Sequence, residues 1–231
     1  MILFGKIAKY AGAVLALFGT AGYGRVLSSQ FFRLLENPGP LFVFASGIMA
    51  FTLLWVFFLA RRGSFWSTLE HELTHALFAI LFFKKINSIS ATRKKGGVIA
   101  IEGGNAIIAL SPYFFPLAAT IVLLIKFVLP ASYQIYAVFF LGFTYQFHVI
   151  SLIREFHLGQ SDLHLAGPVF SIIFIFFTNI LFLGLILTVL SGDWKDAIAY
   201  LWNGFMLSLN YLQDAWTLVF DTVGIYFVKL I

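Results

Sequence analysis

The sequence predicts an all-α polytopic membrane protein, with a small β-hairpin directly after a histidine-bearing helix. Three observations carry this expectation. Of 231 residues, 61% are hydrophobic and only 11% charged, more apolar surface than a soluble domain of this length can bury. Uncharged runs recur at the length of about 20 residues that a hydrocarbon core demands, enough for about five to seven transmembrane helices. Residues 86–105 break the pattern with alternation, β-branched side chains and paired glycines. In such a chain the net charge of +5 reads as loops facing an anionic leaflet, and nucleic acid is not an expected partner. The absence of cysteine excludes disulfides, iron–sulfur clusters and thiolate zinc sites, so any metal must be held by His, Asp or Glu.

Residues 1–39 read as an N-terminal membrane anchor or interfacial segment. "AGAVLALFGTAGYG" behind Lys6 and Lys9 resembles a signal peptide, but a retained helix fits as well. "PLFVFASGIMAFTLLWVFFLA", residues 40–60, is an uncharged span ending at Arg61-Arg62. Ser67-Thr68-Leu69-Glu70 reads as a capping box opening the next helix, which stops at Lys84-Lys85. "INSISATRKKGGVIAIEGGN" follows as strands or a hairpin, backbone that must sit outside the hydrocarbon or line a protected cavity. Residues 106–129 and 131–152 form two spans separated by Pro130, and 168–190 form another. Between the last two lies the polar "REFHLGQSDLHLAGP". Pro112 and Pro116 in "LSPYFFPL" predict a kinked helix whose freed carbonyls find partners on neighbours. Residues 40–190 thus form a membrane core, and 191–231 C-terminal membrane-associated helices. Basic residues at 6, 9, 25, 33, 84, 85, 93–95 and 154 outnumber those at 61, 62, 126, 195 and 229, which favours a cytoplasmic 84–105 segment in a multi-pass cell (inner) membrane protein.

His71-Glu72-Leu73-Thr74-His75 is an H-E-x-x-H motif. Positions i and i+4 share a helix face, so His71 and His75 can bind one ion. Glu72 is turned about 100° away, within reach of a water on that ion without displacing it. Four ionisable groups in six residues of an apolar helix are costly unless functional. Zinc in a catalytic site takes three protein ligands and keeps one position open. Asp162, His164, His157, His148 and Glu102 are the available third ligands.

Taken together, "HELTH", a glycine-bearing "KKGGVIAIEGG" and a downstream "SD" opening a helix resemble the site-2 protease family of intramembrane zinc metalloproteases, in its compact form without an inserted PDZ domain. The resemblance covers about residues 65–170 and rests on short motifs. It implies Zn2+ held by His71, His75 and Asp162, with Glu72 as catalytic base. The family's more usual aspartate setting is Leu-Asp-Gly with an Asn and a Pro upstream, where this chain has Ser-Asp-Leu. The implied substrate is a membrane protein with a transmembrane helix, met within the lipid bilayer. Two other functions use the same residues: a membrane zinc carrier, and a non-catalytic homologue that binds membrane helices.

Overall fold

A computed structural model describes residues 2–60, 65–92, 96–157 and 159–230. Arg61, Arg62, Arg93, Lys94 and Lys95, which enter the charge argument, lie outside the described residues. The chain folds as α1 (Ile2–Glu36), α2 (Gly39–Leu54) continued by a π-helical turn (Trp55–Leu59), α3 (Phe65–Leu81), β1 (Ile86–Thr92), β2 (Gly96–Ile101), α4 (Ala106–Phe114), α5 (Leu117–Val128), α6 (Gln134–Glu155), α7 (Ser161–Ala166), α8 (Pro168–Val189) and α9 (Trp194–Leu230). The expected hairpin is present: β1 and β2 pair antiparallel from Thr92–Gly96 back to Ile86–Ile101, with an irregularity between Ile86 and Ser88.

The expectation of five to seven spans is corrected. Among the described residues, three helical stretches are long and apolar enough to cross a membrane: Gly39–Leu59, Ala131–Glu155 and Pro168–Val189. A fourth results if α4 and α5, bent by 73° at their junction, count as one broken span. The motif helix α3, with 17 residues, is too short to count among them.

Small residues decide how the helices meet, as is common where lipid removes the hydrophobic drive between helices. α2 runs beside α6, and the two backbones touch at Gly47 and Gly142. A Cβ on Gly47 would run into the Phe139 carbonyl, and one on Gly142 into the Phe44 carbonyl. α1 lies along α8, with Gly12 against Phe170 and Gly19 against Phe177. Lys126 at the end of α5 donates to the Gly192 carbonyl in the turn between α8 and α9 (2.8 Å). Near the motif helix a second core forms, where Leu110, Tyr113 and Phe114 of α4 pack on Leu163 and Ala166 of α7 and Ile175 of α8. That core fixes α7, a helix of six residues that could not hold its own position. Gly167, at φ 97°, makes the corner into α8, and Pro168 starts the next helix where its missing N–H costs nothing.

Candidate metal centre

α3 presents His71 and His75 one turn apart, and α7 brings Asp162 to them from its first turn. The His71 and His75 Nε2 atoms are 3.2 Å apart. Asp162 Oδ2 lies 3.7 Å from the first and 3.6 Å from the second. Tetrahedral zinc with ligands at roughly 2.0–2.2 Å needs donors about 3.3 Å apart, so the triangle has the right size.

The second nitrogen of each ring shows which atoms face inward. His71 Nδ1 is 2.8 Å from Glu155 Oε2, and His75 Nδ1 is 2.8 Å from the Ile108 carbonyl. Both partners can only accept, so in neutral imidazoles each Nδ1 carries the proton and each Nε2 presents a lone pair. Two lone pairs 3.2 Å apart, with a carboxylate oxygen nearby, repel one another unless a metal ion or a proton lies between them. Burial raises the Asp162 carboxyl, whereas positive charge on the facing His71 and His75 rings would hold it well below the usual carboxylate range, as a cation bound between them would. Asp162 therefore offers an anionic oxygen. The donor set, two imidazoles and one carboxylate with no sulfur, suits zinc but is not unique to it.

Each ligand is steered by a group that sequence reasoning had not singled out. Glu155, at the end of α6, accepts from His71 and is itself held by Ser67 Oγ at 2.6 Å. Tyr113 donates to Asp162 Oδ2 at 3.2 Å and sets its ring edge against His71. The Ile108 carbonyl accepts from both His75 Nδ1 and Ser111 Oγ (2.8 Å each), and Pro112, four residues on, has no N–H to compete for it. The signal for this carbonyl was in the sequence, since a proline inside a helix frees the acceptor one turn earlier. Nothing in the sequence connected Glu155 or Tyr113 to the motif.

Glu72 is buried and outside the ligand triangle. β2 passes over it so closely that a Cβ on Gly97 would run into the Glu72 carboxylate. Glu72, the three ligands, Val98 and Ile99 of β2, and Arg154 line one cavity of about 500 Å³.

The remaining candidates separate. His157 lines the same cavity but stands outside the ligand group. His164 is exposed on α7, and His148 is buried within α6. Glu102 sits at the base of the hairpin, near Lys85 (3.5 Å) and accepting from Asn87 (3.1 Å). The capping-box expectation is not met. α3 already runs from Phe65, so Ser67 lies inside it, and Glu70 Oε1 accepts instead from the Ala118 amide at 3.1 Å. The break at Pro116 leaves the first N–H groups of α5 without helical acceptors, and Glu70 supplies one. No protein-family model, curated protein or solved structure matches the chain.

Proposed function

We propose that the chain is an intramembrane zinc metalloprotease of the site-2 protease kind, which hydrolyses peptide bonds within or next to transmembrane segments of other membrane proteins. The observation that carries this reading is the meeting of His71, His75 and Asp162 in one cavity with a carboxylate, Glu72, that is not part of the ligand group. Zinc held by those three residues would supply Lewis acidity and lower the pKa of a water to about 7. Glu72 takes the proton of the attacking water and returns it to the leaving amine. Glu155 and the Ile108 carbonyl keep both imidazoles in the tautomer that leaves Nε2 free. A helical substrate hides its carbonyls and must be opened first. β2 lines the cavity with Val98 and Ile99, and its outer edge pairs with no strand among the described residues, so an extended substrate segment can add there. The orientation that fits the loop charges places the hairpin on the cytoplasmic side of a cell membrane.

Cleavage of candidate transmembrane segments in liposomes, run beside metal analysis, tests the reading. Purified protein should hold about one zinc per chain, with three protein ligands as in catalytic zinc sites. Glu72→Gln should keep that zinc while losing about 10²–10⁴-fold in rate, and should retain substrate that the wild type releases. Wild-type cleavage rates in Glu72→Gln would exclude this residue as the base. A wild-type protein that binds transmembrane segments but cuts none would be a binder.

A further inference from the structure

Asn179 is the only carboxamide in α8, a span that is otherwise apolar but for Ser171, Thr178 and Thr188. A polar side chain inside a span is costly unless it is bonded. The hydroxyls of Thr178 and Thr188 return to carbonyls of their own helix. Asn179 does the same with one N–H, to Ile175 (2.8 Å), and sends the other to the Tyr113 carbonyl on α4 (3.0 Å). Both partners only accept, so the amino end of the side chain faces them. In a continuous helix the Tyr113 carbonyl would accept from the Leu117 amide. The chain bends by 73° between α4 and α5, and no backbone amide among the described residues takes that place. A carbonyl without a partner inside a membrane bundle is costly, and Asn179 supplies the donor.

The residue held in this way is one on which the metal centre leans. Tyr113 is fully buried, donates its hydroxyl to Asp162 Oδ2 (3.2 Å) and sets its ring edge against His71. α8 itself starts at the Gly167 corner, whose other arm is α7 with Asp162. The contacts close a ring: from Asp162 to the Tyr113 side chain, from the Tyr113 carbonyl to Asn179, and along α8 back to α7. The apolar contacts of Tyr113 with Leu163 and Ile175 draw the helices together without direction, whereas a hydrogen bond fixes the end of α4 at one height along α8.

We propose that Asn179 is a positioning residue of the metal centre. By holding the Tyr113 backbone it keeps the Tyr113 hydroxyl on Asp162, and so keeps that carboxylate turned toward His71 and His75. Asn179 touches neither metal nor substrate. The role concerns the holding of the metal and does not depend on what the metal centre cuts.

The test reads zinc retention against a chelator in detergent, with thermal unfolding followed beside it. Asn179→Leu keeps the bulk of the side chain and removes the amide. It should hold zinc about 10-fold more weakly, the low end of what loss of an outer partner costs. Tyr113→Phe should show a loss of the same order. In the Tyr113→Phe background, Asn179→Leu should weaken zinc no further, because the route is already cut, while it lowers Tm in both backgrounds. The same loss of affinity repeated in the Tyr113→Phe background would mean that Asn179 acts through general stability, and overturns the proposal. Wild-type retention in either single variant, once folded, overturns it too. Should Asn179→Leu not fold, Asn179→Ser, whose hydroxyl can return to the Ile175 carbonyl, is read by the same criteria in the same two backgrounds. A wild type that holds no zinc overturns the metal centre and the role of Asn179 together.

Discussion

Pro112 has no amide hydrogen, and through that absence it reaches His75 on another helix. The released Ile108 carbonyl fixes the ring by accepting from Nδ1. Pro112→Ala would restore a competing donor, so zinc retention should weaken severalfold, as read by competition with a chelator. Glu155→Gln should do more. It keeps the shape and an acceptor for His71 but removes the charge, and loss of such an outer partner typically costs 10–100-fold in metal affinity. In the same assay Asp162→Ala should release zinc, while His164→Ala and Glu102→Ala should change nothing. At this scale the sequence was legible where the chemistry is local. His71, Glu72 and His75 announce themselves because their spacing repeats the helix turn. Asp162 came from resemblance, and its carboxylate lies within 4.8 Å of a ring nitrogen of each histidine. Glu155 and Tyr113 were hidden because each meets its ligand only through the packing of separate helices, which no local pattern encodes.

The hairpin and the α2–α6 pair illustrate what whole elements contribute. Gly97 is needed for close approach, since any larger residue would press on Glu72. Gly97→Val should therefore keep zinc but lower cleavage at least 10-fold, as about 1 Å of misplacement near reacting groups can cost 10²-fold. Gly142→Leu would force α6 off the Phe44 backbone and should destabilise the fold by about 1–3 kcal/mol, seen as a lower Tm in detergent. Alternation and paired glycines were enough to read the hairpin, and Pro112 and Pro116 enough to read the bend. The capping box misled because Ser-x-x-Glu is a weak pattern once the helix has begun upstream. The number of spans misled because hydropathy alone does not distinguish a helix of 17 residues from a crossing helix.

Across the whole molecule, α8 spans 22 residues, about 33 Å at 1.5 Å per residue, and carries the chain from the metal centre to its far end. If the α4–α5 pair, α6 and α8 each cross, the hairpin and the start of α9 should lie on opposite sides of the membrane. The chain has no cysteine, so single cysteines at Ser90 and Asp193 can be labelled from each side in turn. Labelling of both from one side would mean that the α4–α5 pair, α6 and α8 do not all cross. The split of the metal centre between α3 and α7 also has a meaning in time. A ribosome adds about 5–20 residues per second, so His75 is in place several seconds before Asp162 exists. During that interval the nascent chain carries an incomplete ligand set, because α7 has not been made. On the protease reading, the chain would thereby be inert until most of it has been made.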